Sequence, residues 1–177
     1  HSMHARGEDT SPVMPVGVEA AIKSVGNSTT TPVDMVSVED VACVYTLLAE
    51  SVATRLRENG VKGRCITISA RDADLRVASC QLTIGHHTAL SWDILATAMQ
   101  LFRDRGYARM LPLRSIGVSV GSLIPDDSPV QMDLLGDAAR RERELALARC
   151  VDDIRRRYGT QTIRRGSVLA RPAFAAI

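Results

Sequence analysis

Residues 61–85 read VKGRCITISARDADLRVASCQLTIG, and their alternation decides the fold. Between Lys62 and Gly85 one set of alternate side chains is apolar (Ile66, Ile68 and Ala70, then Ala78, Leu82 and Ile84). The other is small and polar (Thr67, Ser69 and Arg71, then Ser79, Gln81 and Thr83). A period of two, broken by a short polar RDAD turn, is the pattern of two half-buried antiparallel strands. One face supplies a core. The other presents short hydroxylated side chains to water or to a ligand.

Outward from the hairpin, each side carries a helical pattern and then one more strand. On the N-terminal side, Ile22 to Thr31 (IKSVGNSTTT) predicts a strand with Ser24, Gly26, Ser28 and Thr30 on one face and Val25 on the other, ended by Pro32. Ser37 then caps a helix, with Asp40 in the capping-box position. Val41, Val44, Tyr45, Leu48, Val52 and Leu56 follow at three- and four-residue steps, and Asn59 and Gly60 stop it. On the C-terminal side, Ser91 caps a second helix with the stripe Leu95, Ala98, Leu101 and Phe102, closed by Gly106. Met110 to Leu123 predicts the fourth strand, with Ile116, Val118 and Val120 inward and Ser115, Gly117, Ser119 and Gly121 outward. The stretch IPDDSPVQMDLLGD reads as an irregular exposed connector. Ala138 to Tyr158 predicts a third helix with the stripe Leu147, Val151, Ile154 and Tyr158, and TIRRGSVLA adds a short strand or turn.

Strand, helix, hairpin, helix, strand is the split βαβ order. The predicted class is therefore α+β: a four-stranded, mainly antiparallel sheet, with helices Val38 to Asn59 and Trp92 to Arg105 on one face and a C-terminal helix outside that pair. Residues 1–19 (beginning HSMHARGED) resemble a tag remnant and a disordered leader. Residues 20–170 form one domain and 171–177 a tail.

The chain has 177 residues, enough for a real core, and a formal net charge of only +2. Gross charge therefore names no partner, but between Arg140 and Arg165 nine Arg stand against four acids (Glu142, Glu144, Asp152 and Asp153). Twenty of the 22 basic residues are Arg, which suits bidentate phosphate contacts and equally follows from a genomic base-composition bias. Cys43, Cys65, Cys80 and Cys150 have no metal-ligand spacing and read as small core hydrophobes in a reducing compartment. His86 and His87 are adjacent on a strand end, so their side chains diverge. No apolar run approaches the roughly 18 residues of a membrane span, and no signal peptide is visible; the expectation is a cytoplasmic protein with no membrane partner.

The outward face gathers Ser24, Gly26, Ser28, Thr67, Ser69, Arg71, Ser79, Gln81, Ser115, Gly117 and Ser119. Such a surface lets main-chain N–H groups, hydroxyls and a few cations approach phosphates closely. It lacks the aromatics that stack unpaired bases, so a nucleic-acid target would be a duplex backbone read without sequence. The other reading is that Ser and Thr merely solvate an idle face. The acidic pairs Glu39 with Asp40, Asp126 with Asp127 and Asp152 with Asp153 fall at a helix start, in a loop and on a charged helix, which argues for solvated roles. No phosphate loop, nucleophile set or metal ligand set emerges.

Four stretches carry a family resemblance: KSVGNSTTTPVDM at Lys23 to Met35, SCQLTI in the hairpin, LRSIGVSVGSL at Leu113 to Leu123, and the terminal CVDDIRRRYGTQTIRRGSVL. In order and spacing they resemble the C-terminal little-finger domain of Y-family (UmuC-like and DinB-like) translesion DNA polymerases, over about Ile22 to Leu169. The resemblance implies a domain that sets its bare sheet against template-primer DNA. Lys23, Ser24, Val25 and Gly26 would supply phosphate contacts, joined by Arg71, Ser79, Gln81, Arg114 and Ser115. Ala78, Cys80 and Ser119 stand where many relatives have basic residues, which implies weak duplex affinity for this domain alone.

By the same resemblance, Gln131, Met132, Asp133, Leu134 and Leu135 occupy the place of a sliding-clamp-binding motif. Leu135 replaces the usual Phe, a loss on the order of a kcal/mol or more. The competing reading folds Met132, Leu134 and Leu135 back onto the domain's own core. The palm, fingers and thumb, with the carboxylates that hold magnesium, would lie upstream of residue 1. This piece would then need no cofactor of its own and perform no nucleotidyl transfer. An adaptor domain of a catalytically inactive relative and an unrelated split βαβ interaction domain are the rival readings.

Overall fold

The computed structural model describes residues 6–7, 22–129 and 137–174. In chain order the elements are β1 (Ser24–Met35), α1 (Val38–Glu58), β2 (Val61–Asp72), β3 (Val77–Thr88), α2 (Ser91–Asp104), a 3-10 turn (Tyr107–Met110), β4 (Leu113–Gly121), β5 (Ile124–Pro125), α3 (Asp137–Tyr158) and α4 (Gly166–Leu169). The main strands lie in the order β1-β4-β2-β3, every neighbouring pair antiparallel. β1 and β2 therefore run the same way with β4 between them, and β3 and β4 run the same way with β2 between. Each βαβ unit is split by a strand of the other. Besides the four expected strands, a two-residue β5 pairs with the start of β2 (Val61↔Pro125, Lys62↔Ile124).

The alternation in the sequence becomes three inward rows across the sheet: Val25, Val120, Ile66 and Leu82; Asn27, Val118, Ile68 and Cys80; Thr29, Ile116, Ala70 and Ala78. They meet Val41, Val44, Tyr45, Leu48, Val52 and Leu56 of α1 and Ile94, Ala98, Leu101 and Phe102 of α2, all buried. Each large apolar side chain so buried contributes about 1.5–3 kcal/mol. Tyr45, Phe102 and Tyr107 pack edge to face, with centroids 6.5 and 6.2 Å apart.

Helix α1 starts and ends where the sequence places it. Ser37 accepts from the Asp40 N–H at 3.2 Å, Asp40 Oδ2 accepts from the Ser37 N–H at 3.0 Å, and Asn59 and Gly60 (φ +60°) close the other end.

Other local expectations are corrected. Pro32 does not end β1, which runs on to Met35 through a register shift after Thr30; an edge strand tolerates the missing N–H on its open side. Leu90, not Ser91, is the N-cap of α2, while the Thr88 hydroxyl accepts the Leu90 N–H and donates to Asp93. Met110 to Pro112 is not strand; a 3-10 turn precedes β4.

The largest difference is in α3. Leu147 and Tyr158, read as buried stripe residues, are 66% and 72% exposed. Val151 and Ile154, the middle of the expected stripe, are half-buried, and ion pairs complete the packing. Asp152 accepts from Arg57 Nε at 2.6 Å, Arg57 Nη2 at 2.9 Å and Thr54 Oγ1 at 3.0 Å. Glu50 takes Arg155 at 2.8 Å and Arg165 at 2.6 Å. Farther on, Arg171 bonds Asp40, and Val168 and Phe174 enter the core. Two Arg of the basic run near the C-terminus, Arg155 and Arg165, thus help fasten the last helices to α1.

Candidate nucleic-acid interface

The outward side chains also form rows, and the register puts them side by side. Ser24, Gly121, Cys65 and Thr83 make the first; Gly26, Ser119, Thr67 and Gln81 the second; Ser28, Gly117, Ser69 and Ser79 the third; Thr30, Ser115, Arg71 and Val77 the fourth. Among the described residues no helix covers them: Ser24, Gly26, Ser28, Thr30, Arg71, Ser79, Gln81 and Thr83 are exposed and Thr67, Ser69, Ser115 and Ser119 half-buried. Six residues of strand separate the first row from the fourth, so the face is about 20 Å long and, over four strands, about 14 Å wide.

The face is level because its centre holds glycines. A Cβ on Gly26 would lie 2.6 Å from Ser119 Cβ, and one on Gly117 would lie 2.7 Å from Ser69 Oγ and 2.9 Å from Ser28 Cβ. The result is a shallow trough over the second and third rows, lined by main chain and hydroxyls.

The positive charge sits at the ends of this trough. Lys23 is exposed beside the first row and Arg71 in the fourth, and neither has an ion-pair partner among the described residues. Arg114 is the extra residue of a bulge between Leu113 and Ser115, which turns its side chain out toward Asp34, 3.8 Å away. Arg76 is committed, at 2.8 Å to Asp72 and 2.7 Å to Asp74.

Of the residues singled out in the sequence, Lys23, Ser24, Gly26, Arg71, Ser79, Gln81, Arg114 and Ser115 therefore reach this face or its rim. The Val25 side chain is buried in the core, leaving only its main chain. Gln131 to Leu135 lie outside the described residues. Cys65 and Val77 complete rows that the sequence reading left unfilled. The reading of all four Cys as core residues holds for Cys43 and for Cys80, which packs against the core from an inward row, whereas Cys65 lies on the open face and Cys150 is exposed; extending the alternation one residue back from Ile66 would have found Cys65.

Among the described residues no group of three or more His, Cys, Asp or Glu side chains could hold a metal ion. His86 pairs with Asp93 at 3.2 Å, and burial, with Arg64, Lys62 and His86 nearby, holds His87 below the usual imidazole range. No helix among the described residues is long and apolar enough to cross a membrane.

Residues 22–134 match the profile of the impB/mucB/samB family C-terminal domain. The chain belongs to this family. It is a little-finger domain of the Y-family DNA polymerases. The DNA polymerase IV of Acetivibrio thermocellus is 37% identical to it over 165 residues, 93% of this chain and 41% of that protein. The DNA polymerase IV of Moorella thermoacetica is 37% identical over 161 residues, 91% of this chain and 39% of that one. The little finger described here thus spans about two fifths of the length of these relatives. Among solved structures, a Y-family DNA polymerase chimera of Dbh and Dpo4 superposes with a TM-score of 0.54 at 19% identity, covering 70% of this chain and 34% of that one. That likeness is one of fold.

Proposed function

We propose that this little finger lays its open sheet face on the phosphate backbone of template-primer duplex DNA, as part of a translesion polymerase. The nucleotidyl transfer of such a polymerase, and its magnesium, belong to domains upstream. The observation that carries this reading is the level face of four rows of mostly small, polar residues with uncommitted cations, Lys23 and Arg71, at opposite ends. Hydroxyls and main-chain N–H groups position phosphates without reading base edges. Titration of labelled duplexes of two sequences at two salt concentrations tests it. Equal affinities for the two sequences and a steep loss with salt are expected, and Arg71→Ala and Lys23→Ala should each lower the salt slope by about one. A strong sequence preference, or salt-independent binding, would overturn the proposal.

The segment Gln131 to Leu135 is the proposed tether to a sliding clamp. It stands between β5 and α3, whose flanks are fastened by Lys62 Nζ on the Asp126 and Ser128 carbonyls (2.7 and 3.0 Å) and by Arg149 on Asp126 (2.8 Å). With Leu135 in place of an aromatic anchor, affinity should be micromolar or weaker, about −8 kcal/mol or less in magnitude. Alanine at Gln131, Leu134 and Leu135 together should abolish clamp binding with the fold intact, and Leu135→Phe should tighten it. Calorimetry against a purified bacterial clamp decides: unchanged binding by the alanine variant, or its unfolding, removes the tether.

A further inference from the structure

On the helical side of the domain, away from the open sheet face, α1, the start of α2, α3 and residues 163–165 enclose a groove of about 300 Å³. Leu90, Trp92, Leu147, Val151 and Ile163 line it. Trp92 is 59% exposed and Leu147 66%, so two large apolar side chains from different helices stand open to solvent at one cleft. Apolar exposure concentrated in this way marks interaction sites. The cleft is held open by its own walls. Arg57 ties α1 to Asp152 of α3, Glu50 ties Arg155 and Arg165, and Arg165 Nη2 reaches the Ser91 hydroxyl at 3.0 Å. A ligand entering a preformed cleft loses little affinity to ordering it.

The charges point to the ligand. The lining holds Arg57, Arg155, Arg164 and Arg165 against Glu50, Glu144 and Asp152. Asp152 is used by Arg57, Glu50 is shared by two guanidiniums, and Glu144 is engaged at 3.0 Å by Arg140. Arg164 is half-buried and has no hydrogen-bond or ion-pair partner among the described residues. A partly desolvated guanidinium beside an apolar trough complements a carboxylate next to bulky apolar side chains. A nucleic-acid strand fits poorly, because it carries a phosphate at every nucleotide while Arg164 is the one lining cation without a partner among the described residues, whereas a peptide can set a single carboxylate there beside apolar side chains.

We propose that this groove docks an acidic amphipathic peptide segment of a protein partner, its apolar side chains between Trp92 and Leu147 and a carboxylate on Arg164. The site lies on the opposite layer from the sheet face and does not depend on the duplex reading.

Trp92 is the only tryptophan in the chain, so its fluorescence reports the groove directly. The 177-residue chain would be titrated with the peptide acetyl-Glu-Asp-Asp-Leu-Phe-Leu-amide and with a counterpart carrying Lys at the three acidic positions. The acidic peptide should give a saturable change in Trp92 emission. Arg164→Ala and Leu147→Asp, with unchanged circular dichroism, should each weaken it about tenfold or more. Equal binding of the lysine peptide, no saturable change at millimolar peptide, or wild-type affinity in Arg164→Ala would overturn the proposal. So would a dimer in sedimentation that Leu147→Asp dissolves without any peptide binding, since the groove would then belong to a second copy of the chain.

Discussion

A methyl group on Gly117 would come within 2.7 Å of Ser69 Oγ and 2.9 Å of Ser28 Cβ, so the neighbours on both adjoining strands must move outward to admit it. Overpacking of this kind costs about 1–3 kcal/mol. Gly117→Ala should accordingly lower the urea midpoint. It should also weaken duplex binding, because Ser69 and Ser28 would be pushed into the space a phosphate needs. Ser79→Ala, on the exposed edge strand, should change stability by no more than about 0.5 kcal/mol, and the pair measured side by side separates a level face from a merely polar one. At Asp40, burial pushes the carboxyl's pKa up. Hydrogen bonds from the Ser37 side chain and from the Ser37 and Val36 N–H groups, with Arg171 alongside, outweigh it and hold the pKa below 3.8. The stability this carboxylate contributes is complete above its unfolded pKa and is lost as pH falls through the lower folded value. Thermal melts from about pH 5 to pH 2 should therefore show a steeper acid decline for the wild type than for Asp40→Asn.

Among the elements, α3 depends most on buried charge. Removing one partner of a buried pair strands the other, at about 3–5 kcal/mol. Asp152→Ala, which leaves Arg57 only 9% exposed and without its carboxylate, should lose that much in urea unfolding. Replacing both by apolar residues (Arg57→Met with Asp152→Leu) should recover most of it. This dependence also explains where the sequence was opaque. Helix α1 was legible to the residue because its signals are local: a Ser and an Asp three apart at one end, Asn-Gly at the other. The hairpin and β4 were legible because alternation survives when one face is buried. The packing side of α3 was legible only at its middle: Val151 and Ile154 are half-buried, but Leu147 and Tyr158 at the ends are not, and the contact is completed by Asp152 and Arg155 with partners about a hundred residues away. The open face could be read as far as its alternation ran. The bulge that turns out Arg114 arises from pairing with β2 and leaves no mark in the local sequence.

For the whole molecule, the strand order sets a sequence of events. β1 is bonded to the sheet only through β4, and β4, the last of the four main strands to be made, lies between β1 and β2. The two halves of the sheet cannot meet until Gly121 has been synthesised, 86 residues after the end of β1. At ribosomal speeds β1 waits roughly 4 to 17 s. Pairings this distant in sequence also predict refolding in milliseconds to seconds in place of microseconds; stopped-flow fluorescence of Trp92 measures it, and a microsecond phase carrying the full amplitude would contradict the topology argument. During that delay an apolar strand would be prone to aggregate. β1 instead offers Ser, Gly, Asn and Thr over most of its length, so the residues that later leave the sheet face level also keep the nascent strand from finding wrong partners.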